Sequence, residues 1–190
     1  FRDETNTPYR LTGATTNITE LKRIEEALQY RIALETFVTT MSTRFINISS
    51  ENVDDEINKA LGIIGKFIGA DCACIALTGD HDNWRVRYQW QGKDATAAIA
   101  PEMIFPIDRF AWFNNRLNRF ESLYIPSVKQ LSPEAQPEKE FFDSLNIWSL
   151  IAISMTFSEK IDGMLVFGNI SREKTWTNDT IEPLKLVRQM

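Results

Sequence analysis

Two apolar runs near the end of the chain constrain its fold more than any other feature. Residues 149–157 and 161–169 are each long enough to form a buried strand, and only Ser158, Glu159 and Lys160 separate them. A connection this short joins neighbouring antiparallel strands. The sequence therefore predicts a long hairpin within an antiparallel sheet.

A second hairpin is predicted earlier in the chain, between residues 72–78 and residues 84–90. The first run is apolar enough for a buried strand, and the second alternates between large and charged side chains. The alternation predicts one shared face for four residues of the second strand: Trp84, Val86, Tyr88 and Trp90. We therefore expect that strand to be half buried.

Helical patterns surround these strands. A helix beginning at residues 49–51 is expected to end at Gly69, and Asp108 is expected to cap a helix that runs to about residue 120. The remaining predicted elements are short strands at 103–107 and 123–125, a polar helical stretch at 132–145, and a last helix from residue 177 onwards. This order predicts an α+β fold, with a central antiparallel sheet and helices on both faces.

The N-terminal part of the chain predicts a linker helix that contacts another helix. Asn17 and Glu20 have the spacing of a capping box. Leu21, Ile24 and Leu28 follow at the alternating 3,4 spacing of a two-helix seam. We expect a homodimer seam built from these three residues together with two from the last helix, Leu184 and Val187.

Composition narrows the possible functions. The chain has 190 residues, of which 43% are hydrophobic, and 21 Lys and Arg oppose 26 Asp and Glu for a net charge of −5. The basic residues are dispersed, so no nucleic-acid interface is expected. No apolar run approaches the roughly 20 residues of a membrane span, so no membrane contact is expected. The only two cysteines, Cys72 and Cys74, are badly placed for a disulfide, so a reducing cytoplasm is the expected location. The chain does not begin with Met and the last helix reaches Met190, so a longer polypeptide is expected.

The hairpin residues 149–155 and 160–169 resemble the closing hairpin of GAF domains. Residues 131–141 and the strand at 84–90 are similar to GAF domains of bacterial multi-sensor kinases, and residues 9–28 resemble the end of a PAS domain with its exit helix. The resemblance implies a PAS tail at 1–16, a signalling helix at 17–35 and a GAF domain at 36–190. Ser154 and Asp162 depart from the usual pattern, where Pro and an apolar residue are common.

The resemblance also bears on cofactors. Light-sensing GAF domains commonly hold a linear tetrapyrrole through a Cys near the third helix, but residues 108–124 contain neither Cys nor His. No cofactor and no covalent bilin are therefore expected, and an unidentified small molecule stays open. Six aromatic residues fall in elements that roof the ligand pocket of GAF domains, and they are either ligand-binding residues or ordinary core: Trp90, Phe105, Phe110, Trp112, Phe113 and Tyr124.

The reactive side chains of the chain predict no catalytic or metal site. Cys72 and Cys74 are two apart in a strand, which suits neither a disulfide nor a complete set of metal ligands. They are interpreted as small buried core residues. The single histidine, His81, lies in the predicted turn of the first hairpin without a nearby nucleophile.

These observations favour a regulatory or sensory domain that catalyses no reaction and relays a signal to an output domain. The resemblance to GAF domains of multi-sensor kinases implies a histidine kinase as the parent protein. Two alternatives stay open. One is a ligandless dimerisation module of a diguanylate cyclase or a transcriptional activator, and the other is a domain that binds a cyclic nucleotide or another planar ligand. A methionine sulfoxide reductase is disfavoured, because that chemistry needs several suitably placed cysteines.

Overall fold

The structure is a computed structural model, and it separates the chain into two compact units, Phe1–Thr39 and Thr40–Met190. It describes residues 4–5, 18–22, 24–25, 28–29, 31–32, 35–36, 39, 52–79, 83–93, 95, 99–119, 122–157, 160–170, 172–177, 180–181 and 184. The boundary between the units lies a few residues beyond the predicted end of the signalling helix. The assignment of residues 1–16 to a PAS tail stays a prediction.

In the N-terminal unit, the described residues between 19 and 39 are helical. Arg31 Nε and Glu35 Oε1 lie 3.2 Å apart across one turn, and both side chains are exposed. Arg31 and Glu35 are the next two positions of the 3,4 spacing after Leu28. The predicted capping residue Asn17 lies outside the described residues.

Helix α1 (Val53–Ile68) opens the C-terminal unit. Asp54, Asp55 and Glu56 occupy its first turn, where carboxylates favour the positive end of the helix dipole. The helix ends at Gly69, whose φ of 63° lies in the left-handed region that a residue without a Cβ adopts at low cost. The predicted stop at Gly69 is confirmed, and the helix begins at Val53. The predicted start at residues 49–51 lies outside the described residues.

One six-stranded sheet forms the centre of this unit. Its strands are β1 (Cys72–Thr78), β2 (Asn83–Gln91), β3 (Ile104–Pro106), β4 (Ser122–Ile125), β5 (Ile147–Phe157) and β6 (Lys160–Ile170). Their spatial order is β3-β2-β1-β6-β5-β4, and every neighbouring pair is antiparallel. Both predicted hairpins, β1–β2 and β5–β6, are therefore confirmed.

Two further α-helices lie between β3 and β5: α2 (Ala111–Arg119) and α3 (Gln136–Ser144). Short 3₁₀ turns at Val128–Gln130 and Pro133–Ala135 precede α3. Asp108 does not cap α2 as predicted, because its carboxylate accepts a hydrogen bond from the adjacent Arg109 N at 2.9 Å. Instead Glu138 Oε1 of α3 accepts a hydrogen bond from Phe113 N at 3.0 Å. A side chain distant in sequence therefore supplies an acceptor for one of the free backbone N–H groups in the first turn of α2.

A bulge in β2 changes the direction of its side chains. Ile75 pairs with Tyr88 and Ala76 pairs with Val86, so Arg87 is the extra residue between them. Before the bulge, Val86 is in the core beneath α2 and α3. After it, Tyr88 OH donates to Asp54 Oδ1 of α1 at 2.8 Å. The predicted shared face of Trp84, Val86, Tyr88 and Trp90 is therefore wrong.

Helices cover both faces of the sheet, as predicted. Cys72, Cys74 and Ala76 contribute alternate residues of β1 to the core that includes Phe113 of α2 and Phe142 of α3. The intervening residues of β1 face the opposite side, where α1 packs on β1 and β2. No described helix is long and apolar enough to cross a membrane.

Candidate functional site

Three of the six predicted aromatic residues meet in one cluster beneath α3. Phe141 of α3 packs against Phe105 with 5.1 Å between ring centroids and against Phe110 with 4.9 Å. Phe113 contacts Phe142 at 5.9 Å. Phe105, Phe110 and Phe113 are each buried to at least 95%. We call these five rings the aromatic cluster.

Polar side chains hold the base of the aromatic cluster in place. Trp84 Nε1 donates to Asn114 Oδ1 at 3.1 Å, and Asn114 Nδ2 donates to Ile107 O at 2.6 Å. The Glu138 carboxylate that accepts from Phe113 N is 1% exposed. Buried polar groups this well satisfied fix a single arrangement of the elements around them. The sequence reasoning assigned no role to Asn114, although it shares the buried side of α2 with Phe113 and Leu117.

Trp112 lies apart from the aromatic cluster. It is only partly buried, and the Arg116 guanidinium carbon lies 4.5 Å from its ring centroid. Trp112 Nε1 is buried and has no hydrogen-bond partner. The side chain lines a cavity of about 420 Å³ with Arg116, Arg119, Asn115 and Glu134.

Trp90 lies on the α1 side of the sheet, because it follows the bulge in β2. A Cβ at Gly62 would approach the Trp90 ring to 2.8 Å, and a Cβ at Gly65 would approach it to 2.4 Å. The two glycines of α1 therefore make the space that the indole occupies. Trp90 also lines an open groove of about 630 Å³ between α1 and β2.

Tyr124, the last of the six, lies at the β4 edge of the sheet. Its hydroxyl accepts a hydrogen bond from Trp176 N at 3.1 Å and donates to Lys174 O at 3.3 Å. The Tyr124 and Trp176 rings also meet edge to face, with centroids 6.0 Å apart. Ligand binding by the six aromatics stays a prediction, and the structure distributes them over four places.

The segment 172–177 connects this sheet edge to the end of α1. Lys174 Nζ donates to Ile68 O at 2.9 Å and to Gly69 O at 2.7 Å, and Trp176 Nε1 donates to Ile68 O at 3.0 Å. A cation near the negative end of a helix dipole is stabilising. Burial and the neighbouring Arg172 lower the pKa of Lys174. We call this set of contacts the α1 latch.

The residues of the predicted dimer seam differ in their exposure to solvent. Leu21 is 66% exposed, Ile24 59% and Leu28 56%, so these side chains are available to a partner helix. Leu184 is fully buried in the structure, whereas a seam residue needs a side chain that a partner can reach. Its assignment to the seam stays a prediction, and this burial argues against it. Val187 lies outside the described residues.

The two cysteines are free thiols in the core, as the sequence predicts. Burial, and then the charge of Asp71, raise the pKa of Cys72 to about 12. Burial, and then the nearby Cys72, also raise the pKa of Cys74. Among the described residues no group of three His, Cys, Asp or Glu side chains could hold a metal ion. His81 lies outside them.

Comparison with protein families and curated proteins identifies no relative. No protein-family model matches the chain, and no curated protein matches it. Solved structures do match. The phycocyanobilin-bound GAF domain from a cyanobacterial phytochrome aligns with 84% of this chain and 90% of its own, at 12% identity and a TM-score of 0.65.

Two further solved structures have the same architecture. The chromophore-binding domain of a Stigmatella aurantiaca bacteriophytochrome in the Pr state aligns with 85% of this chain and 58% of its own, at 12% identity and a TM-score of 0.66. A protein in a far-red absorbing dark state with bound biliverdin aligns with 82% of this chain and 93% of its own, at 12% identity and a TM-score of 0.64. The chain therefore has a GAF-like α+β fold.

These comparisons correct the expectation that no cofactor is involved. Bound phycocyanobilin, phycoerythrobilin and biliverdin are named for three of the similar structures. The expectation was wrong because it rested on the absence of a thiol from residues 108–124. That absence concerns one point of covalent attachment, whereas the capacity to hold a planar pigment depends on the shape and chemistry of a whole pocket.

Proposed function

We propose that this chain is the sensory and regulatory GAF domain of a larger signalling protein, with a histidine kinase as its output. The observation that carries the proposal is the combination of a GAF-like fold with an N-terminal helical stretch whose apolar side chains are exposed. In this role the chain changes helix packing in a homodimer when the state of the domain changes. No reaction is assigned to the chain itself.

The exposed apolar residues of the N-terminal unit support dimerisation. Ile18 and Ile32 extend the stripe of Leu21, Ile24 and Leu28, and they are 47% and 55% exposed. An apolar stripe on a helix gains most when a second helix covers it, since each fully buried aliphatic side chain stabilises by roughly 1.5–3 kcal/mol. A second copy supplies a stripe of identical register, so a parallel pair of helices is the proposed arrangement.

The α1 latch supports a route for the signal within the C-terminal unit. It connects the C-terminal end of α1 to the segment that precedes the helical residues Thr180, Ile181 and Leu184. Because Leu184 is fully buried, the start of that helical stretch is anchored in the domain core. A shift of α1 would therefore be transmitted to the helix that leads towards an output domain.

The first prediction tests the dimer. Leu21→Glu combined with Leu28→Glu places like charges in the proposed seam, and dimer affinity should fall at least about tenfold. Sedimentation velocity across a concentration series around the dissociation constant of the unmodified chain measures this. Circular dichroism of both proteins checks that the fold is retained.

A matched control uses the same spacing on the neighbouring face of the helix. Lys22→Glu combined with Gln29→Glu also introduces two carboxylates seven residues apart, at exposed described positions. This control should leave the dimer affinity within about twofold, because surface charges interact weakly. Equal dissociation of both double variants, or a monomeric unmodified chain, contradicts the seam.

A linear tetrapyrrole is the ligand class that we propose for this domain, and the support comes from the bilin-bound structures of similar fold. The aromatic cluster supplies flat apolar surface suited to a conjugated pigment. Its rings contact one another, so pigment binding at this place requires Phe110 and Phe141 to separate. Trp112 and Arg116 offer a further aromatic and cationic surface on the other side of α2.

The second prediction is that biliverdin or phycocyanobilin added to the purified chain gives a saturable absorption band shifted from that of the free pigment. The shift follows from transfer of the pigment from water to a fixed aromatic environment. Absorption titration measures binding, and zinc-induced fluorescence on a denaturing gel distinguishes covalent from non-covalent attachment. Unchanged spectra with both pigments, at protein concentrations that keep the chain folded, contradict a bilin ligand.

A further inference from the structure

A cavity beside α2 is lined by one tryptophan together with polar and charged side chains. Its residues are Trp112, Asn115, Arg116 and Arg119 of α2, with Glu134 of the preceding 3₁₀ turn to α3. The four helical positions follow the i, i+3, i+4, i+7 spacing of a single helix face. The side of α2 that bears Phe113 and Leu117 is buried in the core. The cavity is therefore separate from the aromatic cluster.

Trp112 contributes its ring, and not its N–H, to the surface of this cavity. Trp112 Nε1 is buried without a partner, and an indole N–H can only donate. Arg116 stacks over the same indole, with its guanidinium carbon 4.5 Å from the ring centroid.

The charged groups of the cavity favour an anion. Within the described part of the chain, neither Arg116 nor Arg119 forms an ion pair, and Glu134 contacts neither of them within 4.0 Å. Two guanidinium groups against one carboxylate leave a single excess positive charge. Guanidinium groups bind carboxylates with paired, charge-assisted hydrogen bonds.

We propose that this cavity binds a small planar carboxylate. The carboxylate accepts hydrogen bonds from Arg116 and Arg119, and the planar body packs along the Trp112–Arg116 surface. The volume of about 420 Å³ falls within the range of small-molecule sites. A monoanion matches the excess charge. The site is separate from the dimer seam and from the aromatic cluster. Its failure would remove the Trp112–Arg116 surface as a possible bilin contact and would leave the seam and the aromatic cluster unaffected.

The test uses 1-naphthoate as the probe and its neutral counterpart 1-naphthalenemethanol as the ligand control. In protein with ¹⁵N-labelled tryptophan, the five indole N–H resonances are resolved by NMR, and the one lost in Trp112→Phe is that of Trp112. Titration with 1-naphthoate should shift this resonance saturably. The alcohol should bind at least about tenfold more weakly, because it lacks the charge that the two arginines recognise.

Single substitutions then distinguish specific binding in the cavity from non-specific attraction between the anion and a positively charged protein surface. Arg116→Gln and Arg119→Gln should each weaken naphthoate binding about tenfold or more, whereas Glu134→Gln should tighten it by removing a like charge. Arg109→Gln is the matched control, since Arg109 is exposed and does not line the cavity. Absence of saturable binding, an equal loss in Arg109→Gln, or weaker binding in Glu134→Gln would overturn the proposal.

Discussion

Replacing Phe110 with alanine is expected to lower the free energy of unfolding by about 3–5 kcal/mol, the range for large-to-small changes of buried aromatic residues. Phe110 is 3% exposed, and its ring packs against Phe141 with centroids 4.9 Å apart. Removing the ring eliminates these contacts and leaves a cavity between α2 and α3 that a rigid sheet cannot fill. Urea denaturation followed by circular dichroism measures the change.

Trp112→Ala provides the contrast only two residues further along the chain. Both residues are in the predicted roof, but Trp112 is only partly buried and has an arginine over its outer surface. Its removal should therefore destabilise the domain clearly less than Phe110→Ala. If the two variants lose equal stability, or if Phe110→Ala loses less than about 1 kcal/mol, the close packing of the aromatic cluster is refuted.

The sheet was predictable because its signals are local. The bounds of β1 agree with the sequence prediction, and the β5–β6 hairpin follows from two apolar runs and a short connection. The direction of Trp90 was not predictable, because it depends on one extra residue in β2 at Arg87. A bulge of this kind shifts all later side chains to the other face, and alternation alone gives no sign of it.

The candidate site was predictable in composition but not in arrangement. The aromatic residues were identifiable from the chain, yet distances between β3, α2 and α3 depend on long-range packing. Glu138 illustrates the limit, since its carboxylate satisfies Phe113 N across 25 residues of sequence. Leu184 illustrates a second limit of prediction from sequence. An apolar residue on a helix suits a dimer seam and a domain core equally well, and Leu184 is fully buried. Only the tertiary structure distinguishes these uses.

The buried thiols should make the domain sensitive to alkaline pH. The folded state raises the pKa of Cys72 from 9.0 to about 12, so the protonated thiol is favoured by folding. Its contribution to stability is complete below pH 9 and declines as the pH rises towards 12, because the unfolded chain releases the proton first. At about 1.4 kcal/mol per pH unit, Cys72 alone accounts for a loss of roughly 4 kcal/mol across this window.

Urea unfolding of the unmodified chain and of Cys72→Ser, at several pH values from 8 to 11, measures this linkage. Serine does not ionise in this range and keeps a donor for Gly168 O, to which Cys72 Sγ donates at 3.6 Å. The lysine and tyrosine residues are the same in both proteins, so the difference between the two pH profiles isolates the thiol. The unmodified chain should lose stability more steeply above pH 9. Parallel profiles, or rapid alkylation of Cys72 in the folded protein at pH 8, contradict a thiol held protonated by burial.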